Sequence, residues 1–140
     1  MEEIVKDERK LTLYYHSGTS IGKQTYAYAT TSDKKLLAID IAKTKVTGTQ
    51  WAQIADHLGI RICDLINMKH PDFIAEYGTD QVDLGWEDCL KILDKNPITL
   101  AHPILMFGAT WILIKTPSKI ASYLGADTVA IKKIEEDSGE

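Results

Sequence analysis

The segment Gly18-Thr19-Ser20-Ile21-Gly22-Lys23-Gln24-Thr25 concentrates the residue types that hold anions: glycines, hydroxyls and a lysine. A nucleotide-binding phosphate loop needs four residues between its glycines and a Ser or Thr directly after its Lys. Here three residues separate Gly18 from Gly22, and Gln24 follows Lys23, so the segment does not fit that motif. A looser anion nest remains, because a Gly-rich turn feeding a helix N-terminus exposes several N–H donors. Against it stands a plainer reading: Ser and Thr before a helix are what simple N-capping requires.

The other reactive residues are scattered. His16, His57, His70 and His102 form no HxH or HxxxH pair, so no metal site is expected. Cys63 and Cys89 make no CxxC pair, and two cysteines are too few for a Cys-rich zinc site. Read as unpaired thiols, they point to a cytoplasmic setting. Cys63 and Asn67 are spaced i, i+4 and would share a helix face. Cys63 is thus a candidate reactive thiol, set against a buried, inert cysteine. The inert reading is stronger for Cys89, three residues after Trp86 on an apolar face. Tyr26, Tyr28, Trp51, Trp86 and Trp111 read as core rather than a base-stacking platform, since basic residues do not interleave with them.

The elements that must position these residues follow from periodicity and punctuation. Leu11 to Tyr15 and Leu36 to Ile41 are β-branched or apolar runs and read as strands. A helix is expected over 21–30, with a turn at Asp33-Lys34-Lys35. Trp51, Ile54, Ala55 and Leu58 fall at i, i+3, i+4, i+7, an amphipathic helix with Thr47 or Thr49 as cap and Gly59 as stop. Residues 62–68 read as a short helical turn. Helices are expected over 71–77, opened by Pro71 and closed by Gly78, and over 85–94. Residues 103–107 and 110–114 read as strands joined by a tight turn at Gly108-Ala109. A last helix is expected over 117–124, capped by Thr116. Strand, helix, strand, three helices, hairpin and helix make a βαβ unit followed by a ββα unit. That is the layout of an α/β thioredoxin-like fold, a four-stranded mixed sheet with a helical insertion between its halves.

Composition bounds the rest. The chain has 140 residues, 44% apolar and 26% charged, with net charge −4, which suits one globular domain. We divide it into a charged lead-in at 1–10, a domain at 11–124 and an acidic tail at 125–140. The near-neutral body argues against nucleic-acid binding or a polybasic membrane contact. The apolar run 104–114 is too short to cross a bilayer, and the N-terminus lacks the apolar stretch of a signal peptide.

Within that pattern, specific residues resemble the arsenate-reductase family, which also holds the Spx-type regulators. Leu13-Tyr14-Tyr15-His16, the polar loop and Lys23-Gln24-Thr25 are similar to its first strand and active-site loop. Ala42 to Lys45 with Thr49 to Gly59, and Cys63 to Phe73, resemble its second-strand exit and following helices. Asn96-Pro97-Ile98 through His102-Pro103-Ile104-Leu105, then Thr116-Pro117-Ser118, resemble its later proline motifs. The match is collinear over 11–124. It implies a cis peptide at Pro103 and a pocket formed by His16, Gly18, Thr19, Ser20, Lys23, Asn67, His102 and Pro103.

The resemblance stops at the chemistry. A reductase of this family uses a Cys followed by an Arg at the first helix N-terminus, where amides and Arg lower the thiol pKa. Here the Cys position falls on Thr19 or Ser20, and the Arg on Lys23 or Gln24. Its later arginines fall near Asn67, His102 and Thr116 or Lys115. A hydroxyl cannot supply the two electrons that arsenate reduction takes from sulfur. The expectation is therefore a catalytically degenerate member that acts by binding a protein partner or a small anion, without a cofactor. The alternatives are a thiol oxidoreductase using Cys63 with an external thiol, and an inactive scaffold in a multimer.

Overall fold

The computed structural model describes residues 10–31 and 35–120. Strand β1 spans Lys10–Tyr15, helix α1 Ser20–Thr30 and strand β2 Lys35–Asp40. An insertion follows: helix α2 (Gly48–Leu58), a 3₁₀ turn (Ile62–Leu65), helix α3 (Pro71–Tyr77), helix α4 (Trp86–Lys95) and a second 3₁₀ turn (Pro97–Thr99). The hairpin β3 (Ile104–Phe107) and β4 (Thr110–Leu113) closes the sheet, and a third 3₁₀ turn covers Pro117–Lys119. The expected strands, insertion and hairpin are all present, with boundaries shifted by one residue at several ends. Lys10, assigned to the lead-in, belongs to β1. The expected turn at 33–35 falls mostly outside the described residues, and Lys35 opens β2. Of the expected helix 117–124, residues 121–124 lie outside them, as does the acidic tail.

The sheet order is β2-β1-β3-β4. β1 pairs parallel with β2, Leu13 opposite Ala38, and antiparallel with β3, Leu13 opposite Leu105. Alternation along β1 and β3 splits their side chains between two layers. Leu11, Leu13, Leu105 and Phe107 pack with Ala29 of α1, Ile114 and Ile120. Tyr14 and Ile104 face the insertion, where Trp51, Ile54, Leu65, Phe73 and Leu93 form the larger core.

Local signals explain the helix ends. Thr47 caps α2 in a capping box with Gln50, which settles the choice between Thr47 and Thr49. Gly59 and Gly78 end α2 and α3 in the left-handed conformation, with φ of 73° and 75°. Thr116, expected as a cap, makes no side-chain cap bond.

Two expectations fail here. The peptide bond before Pro103 is trans, like every other among the described residues. In that form Pro103 runs directly into β3, and its carbonyl accepts the Ile114 N–H at 2.8 Å. Trp86, Tyr26 and Tyr28 are not core: Trp86 is 60% exposed, and the two tyrosines lie near 39%. Trp86 is the first residue of α4, where the buried stripe is Cys89, Ile92 and Leu93. Tyr26 stacks on Tyr15 at 5.0 Å instead of entering the core.

Gly22 is the tightest point of the fold. A Cβ there would sit deep inside van der Waals contact with the His16 carbonyl oxygen, a backbone atom that cannot swing aside. Gly22→Ala should cost about 2–4 kcal/mol, read as a lower urea midpoint. Gly48→Ala, whose Cβ would meet only Leu90 Cδ1 at 3.6 Å, should be neutral or stabilising by up to about 1 kcal/mol.

Candidate functional site

The topology gathers four chain segments at one edge of the sheet. His16 follows β1, Asp40 ends β2, His102 and Pro103 precede β3, and Lys115 and Thr116 follow β4. All lie at the same end because β1 and β2 run parallel and the hairpin runs up and back.

The loop from His16 to Ser20 is held almost entirely by itself. His16 Nδ1 accepts the Gly18 N–H at 2.9 Å. The Thr19 hydroxyl donates to the His16 carbonyl at 3.0 Å and accepts the Gly22 N–H at 2.9 Å. Thr19 is the N-cap of α1, and Ser20 is its first helical residue. Ser20 Oγ accepts from Gln24 Nε2 at 3.1 Å. The plain capping reading therefore accounts for the Thr19 hydroxyl, both of whose roles are taken. The N–H groups of Ser20 and Ile21 have no protein acceptor among the described residues, and Lys23 is exposed without an ion pair among them.

Asp40, which sequence reasoning missed, is the loop's electrostatic anchor. Its Oδ1 accepts the N–H of Ser17 at 3.1 Å and of Ala42 at 3.0 Å. Burial would raise its pKa, but hydrogen bonds from the Ser17 side chain and backbone and from Ala42, with the Lys43 charge, outweigh that and hold it below the usual carboxylate value. It stays ionised, and its negative charge occupies part of the donor set that an external anion would use. The signal in the sequence was its place at the end of a strand one position past an apolar run.

The remaining expected residues are only partly brought together. His16 feels Asp40 and His70, whereas His102 feels Lys115. Asn67 Oδ1 accepts the Lys69 N–H at 3.0 Å and its own N–H donates to the Thr99 carbonyl at 2.7 Å. Asn67 is therefore a turn former tied to the second 3₁₀ turn. Pro103 is buried. Gly18 lies close to the second 3₁₀ turn, since a Cβ there would come 3.7 Å from Ile98 Cδ1.

Cys63 is not an available thiol. It forms a disulfide with Cys89, with Cα atoms 5.3 Å apart. The sequence spacing of 26 hid this pairing, which depends on α4 folding back over the first 3₁₀ turn. Cys63 is 7% exposed and Cys89 fully buried. The expected shared helix face with Asn67 is also absent, because the turn ends at Leu65. The bond further removes the argument for a cytoplasmic setting that rested on unpaired cysteines. Among the described residues, no helix is long and apolar enough to cross a membrane.

Two outcomes are expected. Closing a loop of this length stabilises by roughly 3.5 kcal/mol in the chain-entropy estimate, so reduction with dithiothreitol should lower the urea midpoint markedly. Burial lowers the pKa of His16, with Asp40 opposing and His70 adding to the effect, and burial with Lys115 lowers that of His102. From the ordinary value of 6.5 down to those lowered values, the unfolded chain binds more protons than the folded one. Stability should therefore fall as pH drops through that window. His16→Gln and His102→Gln should each flatten the decline in urea midpoint between about pH 7 and pH 5.

No protein-family model matches this sequence, and no curated protein matches it significantly. Solved structures do match. The arsenate reductase from Vibrio cholerae superposes with a TM-score of 0.67 at 14% identity, covering 82% of this chain and 98% of its own. A possible arsenate reductase from Streptococcus mutans gives 0.60 at 17%, covering 76% and 92%. The protein SACOL0876 from Staphylococcus aureus gives 0.53 at 18%, covering 79% and 96%. At these identities the likeness is one of architecture: the chain has the thioredoxin-like α/β fold of arsenate reductases, with its helical insertion, over most of its length.

Proposed function

We propose that this protein is a catalytically degenerate relative of the arsenate reductases that binds at the His16–Lys23 loop without reducing what it binds. The observation that carries the reading is the Thr19 hydroxyl at the N-cap of α1. Thr19 and Ser20 are the two hydroxyls the family resemblance sets against its reactive thiol; the Thr19 hydroxyl is engaged by the His16 carbonyl and the Gly22 N–H, and Ser20 Oγ accepts from Gln24. The only cysteines are joined to each other in the insertion, and the only arginine among the described residues, Arg61, pairs with Asp64 at 3.3 Å.

What remains suits weak recognition of a small anion or of a partner's peptide edge. Ser20 and Ile21 direct N–H groups outward at the positive end of α1. Lys23 adds one cation, and Asp40 opposes it. Because burial keeps His16 and His102 neutral below their ordinary range, they add positive charge only in acid. A thiol oxidoreductase working through Cys63 is the rival, and the burial of both sulfurs limits the access an external thiol would need.

Arsenate reduction with glutathione or thioredoxin as donor should not exceed the no-enzyme control; turnover lost in Cys63→Ser would establish the rival. In an NMR titration with sulfate, whose charge is constant over this range, the amides of residues 18–23 should shift, and more strongly once the pH falls below the ordinary histidine value. Absence of any shift at tens of millimolar would leave the loop as a capped helix start.

A further inference from the structure

A cavity of about 450 Å³ opens between α2 and the insertion-facing side of the sheet. It extends toward the Gly108-Ala109 turn, at the end of the hairpin away from His102 and Lys115. It is separate from the α1 loop, and its volume falls in the usual range for small-molecule sites.

One stripe of α2 forms one wall. Gln50, Gln53, Ile54 and His57 fall at i, i+3, i+4 and i+7. Tyr14, Met106 and Trp111, from three adjacent strands, form the other. The floor is thus apolar and partly aromatic, with polar groups at defined places. The Tyr14 hydroxyl has no hydrogen-bond partner among the described residues although the side chain is half-buried, and burial holds it protonated as a donor. Gln50 Oε1 is spent on the Thr47 N–H at 2.9 Å, which leaves its amide N–H groups as donors. His57 stacks on Trp111 with ring centroids 4.7 Å apart. Its Nδ1 donates to the Gln53 carbonyl at 2.9 Å, which leaves Nε2 without a partner among the described residues. Among the described residues, no Lys, Arg, Asp or Glu lines the cavity.

We infer that this cavity is a binding site for a neutral, planar small molecule carrying an aromatic ring and a carbonyl acceptor. The ring lies against Met106, Ile54 and the Trp111 side, and the carbonyl receives the Tyr14 hydroxyl and a Gln50 or Gln53 amide. An ionised ligand is disfavoured because desolvating its charge here meets no countercharge. Glycine and alanine at the turn leave the mouth open.

The probe is benzamide, titrated into the ¹⁵N-labelled full chain at about pH 8, above the usual histidine range. Saturable shifts are expected at the amides of 50–57 and 106–111 and at the Trp111 indole N–H, half-complete on the order of 1 mM. Tyr14→Phe should weaken binding about fivefold through the lost hydrogen bond. Ala109→Trp, at an exposed turn where folding tolerates change, should block the mouth and abolish the shifts. Benzoate and benzamidine should bind several-fold more weakly. Linear, non-saturating shifts, shifts unaffected by Ala109→Trp, or equal binding of the charged analogues would each overturn the proposal.

Discussion

Strand β1 is the constraint on which the rest of the molecule depends. It is hydrogen-bonded on both sides, in parallel to β2 and antiparallel to β3, and Leu11 and Leu13 are completely buried. A one-residue slip would send those leucines toward the insertion and Tyr14 toward α1, exchanging the contents of two cores. That register also places His16 beside the ends of β2 and β3. The edge where four segments meet is a consequence of the pairing, and no single segment could create it.

The junction of β1 with α1 is similarly overdetermined. Gly22 lets the first turn of the helix press against the His16 carbonyl, and Thr19 bonds to both partners. A side chain used this way is spent on architecture. Asp40 reinforces the loop from the neighbouring strand and brings a partly exposed carboxylate to a region that otherwise favours anions. The loop thus joins a helix terminus, which favours negative charge, to an ionised Asp40 that feels the Lys43 charge. Burial keeps His16 and His102 uncharged there at neutral pH.

The insertion has its own tie. The Cys63–Cys89 bond joins the first 3₁₀ turn to α4. The same turn leads into the Ile66–Leu100 bridge and the Leu65 carbonyl's bond to the Ala101 N–H at 2.8 Å. Through that chain of contacts the insertion core is continuous with the segment that delivers His102 to the sheet edge. On its other flank a cavity opens between α2 and the hairpin, with His57 laid on Trp111 in its lining.

Periodicity and punctuation in the sequence by themselves determined the element order, the α2 face and the stops at Gly59 and Gly78, because those depend on local φ/ψ preference and on which side of one helix is apolar. The absence of a thiol or arginine at the α1 loop was equally legible, being a matter of residue identity. Only the tertiary structure decided the rest. The cysteine pairing requires two segments 26 residues apart to pack together. The peptide bond before Pro103 is trans, where the family resemblance implied cis. The exposure of Trp86 follows from its place at the start of α4, outside the stripe that meets the core. The role of Asp40 and the cavity over Tyr14 come from neighbours distant in the chain. Residue type and spacing state what a side chain can do, but burial, partner and charge environment are set by residues that the local pattern does not contain.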